Sequence, residues 1–330
     1  MQPSPEIILT SEQLRLLDAL HGRDFLCLHD YSPEEIAGLL ALAGVLKKTK
    51  TKRCNALANK QLACIFTKPS TRTRVSFEVG IKKLGGSAVI LSATDSQINR
   101  GEPIADMARV LSRYVDGIMI RTFAHSDVEE LAEYSTVPVI NGLTDDFHPC
   151  QVMADLLTIQ ERLGQLAGKH LVYIGDGNNM AHSLLFAGAK TGMHVTICCP
   201  VGYAPSSEIL RQAQEDALPG TKLEIRHDDL AAVAGADVLY TDVWASMGQE
   251  EEKEVRSKVF ARYQINQDVL AQAAPDCMVL HCLPAHRGEE ITADVLEAHA
   301  DEIFDQAENR LHAQNAIMLA LMGSPYAVVA

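Results

Sequence analysis

The segment Phe66-Thr67-Lys68-Pro69-Ser70-Thr71-Arg72-Thr73-Arg74 gathers hydroxyl side chains and guanidiniums around one short stretch. It begins where an apolar run ends, and Val75, Val79 and Leu84 beyond it are spaced for a helix with one buried face. The first turn of such a helix carries backbone N–H groups with no partner inside the helix. With the hydroxyls of Ser70, Thr71 and Thr73 and the guanidinium of Arg72, that turn makes a seat for a phosphate. It is not a Walker loop, because no GxxxxGK[ST] is present. The competing reading is a capped helix with two surface arginines.

Other candidates follow short apolar runs in the same way. Arg121 stands just past the run 117–120, where open α/β sheets place ligand-binding side chains; a solvated surface arginine is the alternative. His148 and Gln151, in His148-Pro149-Cys150-Gln151, open a helical pattern. His148 can donate to a carbonyl oxygen, and it can equally be a capping or packing histidine. Gly175-Asp176-Gly177-Asn178-Asn179 begins like a dinucleotide-binding turn. Met180 occupies the third glycine position, however, and no acidic residue follows the next run, which ends Cys198-Cys199-Pro200. A nicotinamide dehydrogenase is therefore a weak rival. Asn178 and Asn179 suit the backbone of an amino-acid substrate, or an Asx-type turn. Asp242, in Asp242-Val243-Trp244-Ala245-Ser246-Met247-Gly248, can bind a substrate ammonium or cap a helix. His281 and Cys282 lack the spaced partners of a zinc site, and adjacency alone does not make Cys282 a nucleophile. Arg310 stands where a final helix starts, and a salt-bridged arginine is its other reading.

The elements that must carry these residues alternate. Strands are expected at 62–66, 88–91, 117–120 and 137–140, and again at 171–174, 194–198, 238–241 and 278–280. Helices are expected at 34–46, 71–84, 104–114, 127–134, 151–163 and 310–319. This rhythm predicts an α/β protein of two parallel-sheet domains joined by the helix 151–163, with the active site in the cleft between them. Residues 202–207 and 248–254 lack an element pattern and read as loops. The second is a mobile lid or an ordinary solvated acidic loop.

A chain of 330 residues, 47% hydrophobic, is long enough for two cores. The formal net charge of -14 argues against a nucleic-acid partner, though not against a small anion held in a local positive field. No secretory signal or membrane-length apolar run is visible. Eight cysteines without a CxxC pair read as thiols in a reducing compartment. A cytoplasmic enzyme without membrane contact is the expectation.

Taken together and in order, Ser70-Thr71-Arg72-Thr73-Arg74, His148-Pro149-Cys150-Gln151 and His281-Cys282-Leu283-Pro284-Ala285 resemble the aspartate/ornithine carbamoyltransferase family. Asp176-Gly177-Asn178-Asn179 and Asp242-Val243-Trp244-Ala245-Ser246-Met247-Gly248 look like its ornithine branch. The resemblance implies a carbamoyl phosphate-binding domain at residues 1–150. It implies an ornithine-binding domain at 151–330, whose C-terminal helix packs back on the first. Carbamoyl phosphate is expected to meet Ser70, Thr71, Arg72, Thr73, Gln97, Arg121, His148, Gln151, Cys282, Leu283 and Arg310. Within that set Arg72, Arg121, His148, Cys282 and Arg310 are the expected catalytic groups. Asn179, Asp242, Ser246 and Met247 are expected to hold L-ornithine. Gln97 resembles a residue that reaches into a neighbouring subunit's site, which implies a homotrimer or a multiple of trimers. The family often has a cis bond before the proline matching Pro284. No cofactor and no metal are implied.

The chemistry of the residues agrees with that resemblance. Attack of an amine on carbamoyl phosphate builds negative charge on the carbonyl oxygen and releases phosphate. Arginines and a histidine around those oxygens stabilise both without a covalent intermediate. The aspartate branch would need cationic groups for a second substrate carboxylate, and Asp242 points away from it. A non-catalytic binding protein on the same fold is the rival from another class. Closure of the loop at Ser246–Gly248 over ornithine, excluding water, is also expected.

Overall fold

The computed structural model describes residues 9–48, 54–92, 101–227, 230–245 and 250–328. Its elements in chain order are α1 (Ser11–Asp18), α2 (Pro33–Lys48), β1 (Gln61–Phe66), α3 (Thr71–Lys83), β2 (Ser87–Ser92) and α4 (Ile104–Leu111). Then come β3 (Gly117–Arg121), α5 (His125–Tyr134), β4 (Val139–Leu143) and α6 (Pro149–Leu163). The later elements are β5 (His170–Ile174), α7 (Asn179–Thr191), β6 (His194–Cys199), α8 (Ser207–Asp216), β7 (Leu223–His227) and β8 (Val238–Thr241). The chain ends with α9 (Lys253–Phe260), α10 (Gln267–Leu270), β9 (Met278–His281), α11 (Ala293–Ala298) and α12 (Ala300–Met322). The chain divides into two compact units, residues 1–153 with 310–330, and residues 154–309. The division falls inside α6 and inside α12, so each of these helices contributes to both units.

In the first unit a parallel sheet runs in the order β2-β1-β3-β4. Continuous apolar sequence makes these strands, because a parallel sheet covered on both faces has no wet side. Every residue of β3 is buried, and β1 is buried from Leu62 to Phe66. Helix α3 returns from β1 to β2 as the crossover that parallel pairing requires. Its buried stripe is Phe77, Ile81 and Leu84, whereas Val75 and Val79 are 52% and 39% exposed. Of the three apolar positions that marked the helix in the sequence, Leu84 is buried and Val75 and Val79 are not, so the helix is as expected and its buried stripe only partly so. Gly80 lies on the inner side, where a Cβ would meet Asn315 Oδ1 at 2.3 Å, so α12 packs close to α3.

The second unit has the sheet order β7-β6-β5-β8-β9, again parallel. Val172, Ile174, Leu239 and Val279 belong to one apolar cluster with Trp244, Phe260 and Ile303. The same unit holds a buried polar network: Gln306 Nε2 donates to Asp155 Oδ1 (2.7 Å), Tyr240 Oη donates to Asp155 Oδ2 (3.1 Å), and the His281 amide donates to Gln306 Oε1 (3.0 Å). Low local polarity makes each of these bonds costly to break, so they fix the end of β9.

Several expectations need correction. Residues 248–254 are not loop throughout, since α9 begins at Lys253. Arg310 stands in the middle of α12, which starts ten residues earlier, at Ala300. Arg121 is the last residue of β3, paired with Phe66, rather than a residue beyond the strand. Among the described residues no helix is long and apolar enough to cross a membrane.

Candidate active site

In each sheet the strand order reverses beside its first strand, at β1/β3 in the first unit and at β5/β8 in the second. Loops leaving the carboxyl ends of such a pair diverge to opposite faces and open a crevice for ligands. The register places Phe66 beside Arg121, so the β1–α3 loop and Arg121 share the first crevice. It places Ile174 beside Thr241 and Thr241 beside His281, which brings the loops carrying Asn178, Asp242 and Cys282 together at the second.

In the first unit Ser70 caps α3: its Oγ accepts from the Thr73 amide at 3.2 Å. Thr71, Arg72 and Thr73 form the first turn, with Thr71 and Arg72 exposed and Thr73 buried. The cap of the competing reading is thus present, and the same first turn still presents the Thr71 and Arg72 side chains to solvent. His148 precedes α6, and its carbonyl accepts from Gln151 and Val152 amides, while Pro149 takes the first helical position where no N–H is needed. The His148 side chain is buried. Burial, and then the positive potential of Arg310, Arg121 and Arg72, hold its imidazole well below the usual pKa. A neutral imidazole can donate one hydrogen bond without adding charge.

Arg310 is 4% exposed and donates to Gln151 Oε1 at 2.7 Å and to Thr73 Oγ1 at 3.3 Å. With the Gln314 amide turned to satisfy its neighbours, its oxygen also accepts from Arg310 Nη2 (2.9 Å) and Nε (3.2 Å). Ser70, Thr73, Gln151 and Arg310 are thus linked, with Arg310, Arg121 and Arg72 all close enough to His148 to act on it electrostatically. Guanidiniums held by neutral acceptors keep their charge available to an anion.

In the second unit Asn178 caps α7, its Oδ1 accepting from the Met180 amide at 2.9 Å. Its Nδ2 donates to Asp242 Oδ2 at 3.1 Å. Asp242 Oδ1 accepts from Cys282 Sγ at 2.9 Å and from the Val243 amide at 2.8 Å. Asp242 therefore does not cap a helix, and Cys282 is a thiol donor in this geometry. Asn179, 9% exposed, is the first residue of α7. Leu283 has φ 59 and is followed by a cis bond to Pro284, as the resemblance implies; the Leu283 amide donates to His281 Nδ1 at 2.8 Å.

Three expected residues, Gln97, Ser246 and Met247, lie outside the described residues. Three others escaped the sequence reading. Gln314 orients Arg310. Lys68, 3% exposed, pairs with Asp145 and lies 4.3 Å from the Phe123 ring centroid, so it ties the β1–α3 loop to the two next to it. Arg256 bonds Asp176 Oδ2 (2.7 Å), Glu252 Oε2 (2.8 Å) and the Trp244 carbonyl (3.0 Å), fixing α9 beside the Asp242 loop. Lys68 belongs to a motif already marked; the other two gave no local signal.

The family model for the aspartate/ornithine carbamoyltransferase carbamoyl-P binding domain matches residues 23–161, and that for the Asp/Orn binding domain matches 167–321. The chain belongs to the aspartate/ornithine carbamoyltransferase family. Within this family it is 56% identical over 310 residues to the ornithine carbamoyltransferase of Symbiobacterium thermophilum, covering 93% of this chain and 100% of that one. It is 54% identical to the anabolic ornithine carbamoyltransferase of Pyrococcus furiosus, covering 92% of this chain and 98% of the relative. The solved ornithine carbamoyltransferase from Pyrococcus furiosus superposes with a TM-score of 0.88 at 54% identity, over 92% of this chain and 98% of that one. The carbamoyltransferase motifs of the sequence thus sit on the fold of the family.

Proposed function

We propose that the protein transfers the carbamoyl group of carbamoyl phosphate to the side-chain amine of L-ornithine, giving L-citrulline and phosphate. The observation that carries this reading is identity at more than half of all positions, along almost the whole chain, with a relative named ornithine carbamoyltransferase. The linked Asn178, Asp242 and Cys282 side chains support the choice of amino acid.

The phosphate sits on the first turn of α3, against the amides and hydroxyls of Ser70, Thr71 and Thr73 and the Arg72 guanidinium. Arg121, His148, Gln151 and Arg310 surround the carbamoyl and bridging oxygens, with Cys282 and Leu283 as further contacts. Charge that develops on the carbonyl oxygen during attack meets donors already fixed by neighbouring bonds, so little reorganisation is needed. Asn179, Asp242, Ser246 and Met247 hold ornithine, with Asp242 taking the α-ammonium. The reacting amine must shed its proton first, since its pKa in water is near that of lysine, about 10.4. The positive field of the arginines favours the neutral amine. Gln97 completes the site of a neighbouring copy in a homotrimer. The enzyme works in the cytoplasm, in arginine biosynthesis.

The test is citrulline formation by purified protein from carbamoyl phosphate, with ornithine, putrescine, N-acetylornithine and aspartate offered in parallel. Product with ornithine, abolished by Arg72→Ala, is the expected result. Product with aspartate alone would overturn the assignment of Asp242 and keep the phosphate seat.

A further inference from the structure

Beyond the substrate residues, the turn after Pro284 holds a second cluster. Gly288, at φ 90, lets the chain double back, and its amide donates to the Ile291 carbonyl at 2.8 Å. The Glu289 amide donates to the His286 carbonyl at 2.9 Å, and the Gln264 side chain clasps the Gly288 and Glu289 carbonyls at 3.0 and 2.7 Å. Within this braced turn His286, Glu289 and Glu290 each offer a ligand atom, all within 4.8 Å of one another.

Acidic side chains near a histidine are common on surfaces, but Glu290 is different. It is 0% exposed. Its Oε1 is used twice, by His281 Nε2 at 2.9 Å and by the His286 amide at 2.6 Å. Its Oε2 has no hydrogen-bond partner and lies 3.9 Å from His286 Nδ1. A buried carboxylate oxygen with no donor is costly, and such an atom asks for an explanation. Glu289 Oε2 lies 3.6 Å from the same His286 nitrogen, while Glu289 Oε1 is engaged by Lys253 at 3.0 Å. One oxygen of each glutamate and one imidazole nitrogen therefore converge.

The geometry points to a divalent first-row metal site formed by His286 Nδ1, Glu289 Oε2 and Glu290 Oε2. Ligands about 2.0–2.2 Å from a zinc ion stand roughly 3.3–3.6 Å apart in a tetrahedron. The separations involving His286 are 3.6 and 3.9 Å, and small rotations of the partly exposed His286 and Glu289 side chains close the difference. One nitrogen and two carboxylate oxygens, without thiolate, suit Zn2+, Mn2+ or Co2+, with water completing the shell. The ion fixes the Glu290 carboxylate, which holds His281, whose Nδ1 in turn accepts from the Leu283 amide. The metal thus braces the turn that carries Cys282 and Leu283.

Zn2+ is the probe. Because Asp242, His281 and Cys282 form another cluster of metal-binding atoms, the titration uses Cys282→Ser protein, removing the competing thiol. Equilibrium dialysis is expected to show one Zn2+ per chain, with affinity reduced more than about tenfold by adding His286→Ala or Glu289→Gln. Zn2+ should also raise the Tm of Cys282→Ser protein and leave that of the His286→Ala double variant unchanged. Stoichiometric binding that ignores both second substitutions, or no binding to Cys282→Ser protein, overturns the proposal. Both substitutions lie at partly exposed positions, and circular dichroism at matched temperature separates lost binding from lost fold.

Discussion

Cys282 Sγ donates to Asp242 Oδ1 at 2.9 Å, from the end of β9 to the end of β8. With Asn178 donating to the other oxygen, both oxygens of the carboxylate are oriented before substrate arrives. A thiol and an amide orient both carboxylate oxygens for a charge-assisted bond to a cationic ligand. Asp242→Asn retains the shape and removes the charge. A hydrogen bond to a charged group contributes about 1.5–3 kcal/mol, so KM for ornithine should rise roughly tenfold to a hundredfold. KM for carbamoyl phosphate should stay within about twofold. Cys282→Ala should raise the ornithine KM less than Asp242→Asn does, and Cys282→Ser less again, because a hydroxyl still donates. Steady-state kinetics with each substrate varied in turn decides it. An unchanged ornithine KM in Asp242→Asn would remove this residue from the ornithine site.

Arg310 is held by Gln151, Thr73 and Gln314 in a fan of planar contacts. A lysine presents a point charge on a flexible stem and cannot reproduce this fork. Arg310→Lys should therefore raise KM for carbamoyl phosphate by more than about tenfold while the fold persists. Gln314→Leu has similar volume and loses both the acceptor for Arg310 and the donor to Ser76 Oγ. Loss of one such bond costs about 1.5–3 kcal/mol when the donor is charged, so roughly the same tenfold effect is expected at a residue that need not touch substrate. If Gln314→Leu changes thermal stability but neither KM nor kcat, Gln314 does not position Arg310.

The strand ends were the legible part of this molecule. Two-sided burial writes β1, β3, β5 and β8 as apolar runs, and the residues proposed to meet the substrates stand at or just after their ends. Contacts made by distant chain segments were not legible. Gln314 is one polar residue in a long helix, and only the packing of α12 in the first unit gives it Arg310 and Ser76 as partners. Arg256 is hidden in an acidic stretch whose helix, α9, lacks a clear apolar stripe. Helix α8 was missed for a related reason: Ala213 is its one buried residue, so its sequence reads as solvated loop. Strand β7, half exposed at the sheet edge, lacks the apolar run that marked its neighbours.

Gly177 tests the turn that carries Asn178. A Cβ there would stand 2.2 Å from Pro205 N and 2.4 Å from the Ala204 carbonyl carbon, both backbone atoms that cannot rotate away. The Gly177 amide meanwhile donates to the Tyr203 carbonyl at 2.9 Å, holding the two segments together. Gly177→Ala must force them apart, at a cost on the order of 1–3 kcal/mol. Denaturant melts should show that loss, and the displaced Asn178 should raise the ornithine KM. A variant as stable as the parent would mean the loop at Ala204–Pro205 yields freely, and that close approach does not explain the glycine.

His148 ties the site to the stability of the whole chain. Its folded-state pKa lies well below the ordinary value, because burial and then Arg310, Arg121 and Arg72 oppose its charge. The unfolded chain restores a pKa of about 6.5 and so binds a proton that the folded chain refuses. The stability contributed by neutral His148 is full above about pH 6.5 and is lost as pH falls below it, by up to about 1.4 kcal/mol per pH unit. His125 and His170 are also depressed, burial being the largest cause in each, so the parent protein alone does not isolate the effect. The comparison with His148→Gln does. Urea unfolding at a series of pH values from about 7.5 to about 5 should show the parent losing stability faster than the variant as acid is added. Parallel curves would mean that the His148 pKa is not depressed at all, and a parent that lost stability more slowly than the variant would mean that His148 carries its proton in the folded enzyme. It would then act on the carbonyl oxygen as a cation, and the neutral donor described above would be the wrong species.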